Sequence, residues 1–115
     1  MSDSILRAKS YSFALKVIKT YKQIIAEHKE YVLGKQFLKA GTAIGALIHE
    51  AEFAQSKPDF ISKLSISLKE ANETDYWLSL LRDSQFISLE IADELLADNR
   101  ELIRMLIASI NKLKS

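Results

Sequence analysis

Apolar residues recur along the first half of the chain at the spacing of an amphipathic helix. The first stripe contains Leu6, Phe13, Val17, Tyr21 and Ile24, which predicts a helix over residues 4–28. A second stripe contains Val32, Leu33, Phe37, Ala40, Ile44, Ile48 and Ala51, which predicts a helix over residues 31–54. His28 to Glu30 therefore form a short link between two helices.

Two more helices are predicted in the second half, each with its own start. Ser56 can cap free backbone N–H groups, Pro58 is tolerated in a first turn and Asp59 suits the positive helix end, so a third helix begins here and ends near Arg82. Ser88 is the next cap, and it begins a fourth helix that continues to the end. The two stripes are Phe60, Ile61, Leu64, Leu68, Ala71, Leu78 and Leu81, and then Leu89, Ala92, Leu95, Leu96, Leu102, Ile103, Leu106, Ile110 and Leu113.

Four amphipathic helices joined by short links predict an all-α, antiparallel, up-down-up-down four-helix bundle. We expect one domain over residues 1–115, a length that suits a single core. Three glycines and one proline are too few for the many turns of a sandwich or barrel. No stretch approaches the ~20 apolar residues of a membrane span, so no membrane association is expected.

The chain has no cysteine, which excludes disulfides, a thiolate nucleophile and cysteine-bound zinc. We therefore expect a cytoplasmic protein. No metal site is expected either, because the Glu-x-x-His pattern of di-iron bundles is missing: Ile25 and Ala46 stand three residues before His28 and His49.

Carboxylates are grouped at Glu70, Glu73 and Asp75, a residue type that can transfer protons in catalysis. No nucleophile accompanies them, and acids beside lysines on a helix are usually solvated or ion-paired. We predict no catalytic residue and no cofactor, and hence no enzyme.

Charge is unevenly distributed, because residues 1–39 carry a net +5 and residues 40–115 a net −4. No acid lies between Ser4 and Ala26. A basic face of this kind binds phosphates, whereas the alternative is that it attracts a neighbouring helix or only faces solvent. The candidate residues for binding nucleic acid or a partner are Lys9, Lys16, Lys19, Lys22, Lys35 and Lys39.

Helix two has two further features. Gly41 and Gly45 have no side chains, which predicts close approach of another helix, in the same chain or in a second subunit. A second stripe beside the core predicts a seam with helix three. In this seam Lys39 pairs with Glu73 or Glu70, and Glu50 pairs with Lys63.

The segments Gln36 to Leu47, Ala54 to Lys57 and Lys69 to Leu78 closely resemble the bacterial four-helix-bundle family of ribosomal-RNA intervening-sequence proteins. The resemblance implies a left-handed bundle and a ring-shaped homopentamer. It also implies a relation to accessory subunits of diversity-generating retroelements, which are basic, nucleic-acid-binding partners of a reverse transcriptase. The family label describes where some genes lie, within rRNA insertions, and gives no activity.

Four positions depart from the family pattern, which typically has Arg at Lys39, Ser at Ala40 and Ala43, and Asn at Leu47. The sequence therefore leaves several functions open. The first is a non-enzymatic homo-oligomer that binds RNA, DNA or a nucleic-acid-processing partner through a basic face. The alternatives are a purely structural scaffold and a small enzyme of unknown reaction.

Overall fold

The structure, a computed structural model, describes the backbone of residues 2–115 and the side chains from residue 4 onward. Its helices are α1 (Ser2–His28), α2 (Val32–Ala51), α3 (Lys57–Asp83) and α4 (Leu89–Lys114). Each helix packs against its neighbour in sequence, and α1 also packs against α4. This closed order confirms the predicted all-α, up-down-up-down bundle.

Both predicted serine caps are present. The Ser56 hydroxyl accepts a hydrogen bond from the Asp59 N–H at 3.2 Å, and Pro58 lies in the first turn of α3. The Ser88 hydroxyl accepts one from the Ile91 N–H at 3.1 Å. Each cap satisfies a backbone donor that the helix itself leaves without a partner.

The predicted end of helix two, at residue 54, is wrong by three residues. The N–H groups of Glu52, Phe53 and Ala54 donate to carbonyls three residues earlier, at 3.0 to 3.2 Å, instead of four. This tightened turn ends α2 at Ala51. Phe53 lies in this turn and is exposed.

The interior is formed by the predicted stripes, with Phe13, Val17, Phe37, Ile44 and Leu78 among its fully buried side chains. Two predicted members lie outside it. Val32 shares the outer face of α2 with Lys39, seven residues further on, and Leu89 is the first residue of α4; both are exposed. None of the described helices is long and apolar enough to cross a membrane.

The glycines of α2 face α1 within the same chain. A Cβ atom placed on Gly41 would lie 2.8 Å and 2.9 Å from the Val17 methyl carbons, and one on Gly45 would lie 3.3 Å from the Ser10 carbonyl oxygen. Gly34 makes a looser contact, because its Cβ would lie 3.4 Å from the Tyr21 ring. The close approach expected at Gly41 and Gly45 is therefore an intrachain contact.

Five polar side chains are buried in the bundle: Ser10, Thr20, Ser67, Thr74 and Asn99. The hydroxyls of Ser10, Thr20 and Thr74 each donate a hydrogen bond to a carbonyl oxygen of their own helix. The Ser67 hydroxyl instead donates to the Ile44 carbonyl oxygen of α2 at 2.9 Å. Asn99, at 0% exposure, donates from Nδ2 to the Ala71 carbonyl oxygen at 2.8 Å. Its Oδ1 has no hydrogen-bond partner among the described groups.

Candidate nucleic-acid interface

Two of the predicted binding lysines, on α1, form ion pairs with acids of α4. Lys9 Nζ lies 3.2 Å from Glu101 Oε1, and Lys16 Nζ lies 2.7 Å from Asp98 Oδ2 and 2.8 Å from Glu94 Oε2. Hydrogen bonds to Asp98 and then to Glu94 raise the pKa of Lys16, and the bond from Lys16 lowers the pKa of Glu94. The charges of Lys9 and Lys16 are therefore paired within the chain, as expected if the basic face of α1 attracts a neighbouring helix.

The remaining predicted lysines are Lys19, Lys22, Lys35 and Lys39, and all four side chains are exposed. Lys29, in the link between α1 and α2, is exposed as well. No carboxylate of the described residues lies within ion-pair distance of these five ammonium groups. We call this group of five the α1–α2 lysine patch.

The packing of α1 on α2 gathers the patch at one end of the bundle. Gly34 faces Tyr21 and Ile24, so the first turns of α2 lie beside the last turns of α1. Lys22 directly follows Tyr21, and Lys35 directly follows Gly34. Lys22 and Lys35 therefore lie at a similar height along the two helices, although they are distant in sequence.

Three acids lie near the patch, each with another contact or setting. Glu27 lines a cleft of about 530 Å³ between the end of α1 and the α3–α4 link, and no residue of α2 lines that cleft. The Glu30 carboxylate accepts a hydrogen bond from the Leu33 N–H at 2.7 Å at the start of α2. Lys19 contributes, after the hydrogen bond from Lys16, to lowering the pKa of Glu94. With Glu27 and Glu30 counted, the five lysines of the patch still leave a net positive charge, which suits phosphate groups.

The predicted seam between α2 and α3 is present in part. Lys63 Nζ lies 3.4 Å from Glu50 Oε1. Lys39 is not within ion-pair distance of Glu70 or Glu73 among the described side chains. Glu73 instead accepts a hydrogen bond from the indole Nε1–H of its own helix neighbour Trp77 at 3.3 Å, and Lys39 stays exposed.

The carboxylate and histidine side chains considered for chemistry interact with other residues of the chain. Asp75 binds the Arg100 guanidinium through both carboxylate oxygens, at 2.9 and 3.3 Å, and raises the pKa of that guanidinium. The exposed His49 ring packs edge-on against Phe53 at 5.5 Å. Within residues 4–115, no group of three or more metal-ligating side chains comes together.

An apolar surface lies on the outer side of α1 and α2, toward the other end of the bundle. It is an open groove of about 780 Å³, and small residues such as Ala14, Gly45 and Ala46 line part of it. Tyr11 lines it with 69% exposure. Exposed Leu15 and Ile18 continue the apolar character of the outer surface of α1.

The sequence profile described as "23S rRNA-intervening sequence protein" matches residues 2–108. The chain belongs to this family. The fold agrees with a solved family relative, a protein with unknown function from the S23 ribosomal protein family of Bacteroides thetaiotaomicron VPI-5482, determined at 1.70 Å resolution. That protein is 47% identical, with a TM-score of 0.94, and the match covers 96% of this chain and 99% of that chain. A comparison with curated protein sequences gives no significant match.

The departures from the rRNA-intervening sequence pattern lie in different environments. Ala40 is buried in the core, so a serine there could not contact RNA directly. Ala43 and Leu47 are half-buried, and only Lys39 of the four positions is fully exposed. The exposed position keeps a positive charge in this family member, although lysine cannot form the two-pronged contact of arginine.

Proposed function

We propose that this family member is a one-domain, homo-oligomeric, non-enzymatic protein of the cytoplasm that binds nucleic acid through the α1–α2 lysine patch. The observation that carries the proposal is the contrast among its lysines. Lys9 and Lys16 are neutralised by α4, whereas the five lysines of the patch are exposed and lie beyond ion-pair distance of any described carboxylate. Phosphate groups are the ligands that such a cluster attracts most strongly. The family's association with rRNA insertions supports an RNA context, and the resemblance to retroelement subunits adds a reverse-transcriptase-like partner.

Charge reversal within the patch tests this binding. The combined changes Lys22→Glu, Lys35→Glu and Lys39→Glu should weaken binding of a labelled RNA by about 100-fold at 0.1 M salt, because three phosphate contacts are lost. The slope of log affinity against log salt should also fall in magnitude by about 2. Fluorescence anisotropy measures both quantities.

A matched control changes the net charge equally elsewhere on the surface. Lys57→Glu, Lys69→Glu and Lys112→Glu alter three exposed lysines that lie outside the patch. This control should lose less than about tenfold through the long-range field alone. Equal losses in the two variants, or no loss in either, would contradict a specific role for the patch.

Homo-oligomerisation is proposed on the apolar α1–α2 groove and on the family resemblance. Light scattering should give a multiple of the 13.0 kDa monomer mass, fivefold if the resemblance to pentamers holds. Tyr11→Glu combined with Phe53→Glu should produce a monomer, because two charges would be buried at the interface. Leu89→Glu, at an equally exposed apolar residue of α4, is the control and should leave the mass unchanged. A monomeric wild-type protein at micromolar concentration would refute the proposal.

A further inference from the structure

Tyr31 occupies a position where the fold gains little from a tyrosine. It is the N-cap residue of α2, and its side chain makes no capping hydrogen bond. Serine, threonine, aspartate and asparagine are preferred at such positions because their side chains can cap the helix. Glu30 provides the cap for Leu33 instead, and the Tyr31 side chain is 50% exposed. The aromatic ring is therefore free to contact a ligand.

Four lysines of the patch lie close to Tyr31 along the chain or on the adjacent helix. The Lys35 N–H donates to the Tyr31 carbonyl oxygen at 3.0 Å, so Lys35 lies one helical turn beyond Tyr31, and Lys39 lies one further turn along the same face. Lys29 precedes Tyr31 by two residues in the link, and Lys22 lies on the adjoining turn of α1.

The link also fixes the position of the ring. Only residues 29–31 separate α1 from α2. The Lys29 N–H donates to the Ile25 carbonyl oxygen at 2.9 Å, which continues the bonding of α1. A short link anchored at both ends holds its side chains with little freedom, and a preorganised ring loses less entropy on binding.

Lysine and tyrosine together suit one form of nucleic acid. Lysine binds phosphate as a point charge and, unlike arginine, lacks a rigid planar fork of donors. An exposed aromatic ring among phosphate-binding lysines provides a stacking surface for an unpaired base, and the bases of a duplex cannot reach such a surface.

We propose that the lysine patch binds single-stranded nucleic acid without sequence preference, with one base stacked on Tyr31. This inference rests on the proposed function and specifies its ligand. Five lysine–phosphate contacts predict a slope of about −3.5 in log affinity against log salt for a single strand.

The test uses Tyr31→Ser, which removes the ring and keeps a hydroxyl group. Affinity for an unstructured oligouridylate should fall by about 5- to 150-fold, the range for loss of one stacked base, whereas affinity for a duplex of the same length should change by less than about twofold. The melting temperature should change little, because the Tyr31 side chain is half-exposed and makes no capping hydrogen bond. Tyr31→Phe should retain single-strand binding. Tyr76→Ser, at an exposed tyrosine of α3, should change neither affinity.

Each other outcome has a distinct meaning. Unchanged single-strand binding by Tyr31→Ser, or equal losses for single strand and duplex, overturns base stacking and leaves the proposed function intact. A wild-type protein that binds neither nucleic acid overturns both. Equally tight binding of polyglutamate would identify the patch as a site for an acidic protein and would also overturn both.

Discussion

Asn99→Asp is expected to lower the free energy of unfolding by about 3 to 5 kcal/mol at pH 7, because it places an unpaired charge in the core. The Asn99 side chain is fully buried, and its one described partner is the Ala71 carbonyl oxygen. A carbonyl oxygen accepts hydrogen bonds, so it repels a carboxylate at this distance. Urea unfolding followed by circular dichroism measures the change.

The same variant should recover stability in acid. Burial raises the pKa of the introduced carboxyl group in the folded state. The penalty is therefore present above that raised pKa and disappears as the pH falls toward about 3.9, the value in the unfolded chain. Once protonated, the carboxyl group can donate to the Ala71 carbonyl oxygen as Asn99 does.

Asn99→Leu is the control for this prediction. It removes the Nδ2 donor and also Oδ1, which has no partner among the described groups. Replacing a polar side chain by an apolar one of similar size should change stability by less than about 1.5 kcal/mol. An aspartate variant with wild-type stability and no pH dependence between pH 4 and pH 8 would show that solvent or a cation reaches this position.

Gly41→Ala is expected to destabilise the bundle by up to about 2 kcal/mol, although alanine favours helix formation. The gain in helix propensity is at most about 1 kcal/mol, whereas overpacking in a core costs about 1 to 3 kcal/mol. The new Cβ would lie 2.8 Å from one Val17 methyl carbon and 2.9 Å from the other. Val17 is fully buried and β-branched, so its side chain has few other rotamers.

Two comparisons isolate this contact. Gly34→Ala, in the same helix, should be neutral or stabilise by up to about 1 kcal/mol, because its Cβ makes only ordinary contact with the Tyr21 ring. Val17→Ala should cost less in the Gly41→Ala background than in the wild type, since it removes the overlapping methyl groups. Strict additivity of the two changes in thermal unfolding would mean that the helices simply move apart.

The sequence predicts the four helices well because most of the apolar residues that recur at the helical spacing are those that the bundle buries. Phe13, Phe37 and Ile44 are buried where the 3.6-residue spacing places them. Leu89 fits the same spacing but begins its helix, and periodicity does not say how far a neighbouring helix extends. Val32 was wrongly assigned to the stripe, because it lies seven residues before Lys39 on the exposed face of α2. The buried Asn99 lies in the core stripe of α4 and escapes any analysis that counts only apolar residues.

The proposed binding surface was only partly predictable, because charge partners depend on how helices meet. Lys9 and Lys16 share a basic face with Lys22 in sequence, yet acids of α4 neutralise only the first two. The spacing of Glu94, Asp98 and Glu101, by four and then three residues, places these acids on one helical face and could have indicated the pairing. No comparable sequence pattern identifies Tyr31, because its proposed role depends on the exposure of its ring and on the absence of a capping hydrogen bond.

All three glycines of the chain lie in α2, a helix of 20 residues. Relative to alanine they lower its intrinsic helix stability by about 3 kcal/mol, and a segment of this length is only marginally helical in water even with good helix formers. We therefore expect this segment to become helical as it packs on its neighbours α1 and α3. On the α1 side, Val17, Ser10 and Tyr21 occupy the space that the missing side chains leave. Folding of α2 should thus be coupled to its docking in the bundle, and the isolated segment should form little stable helix.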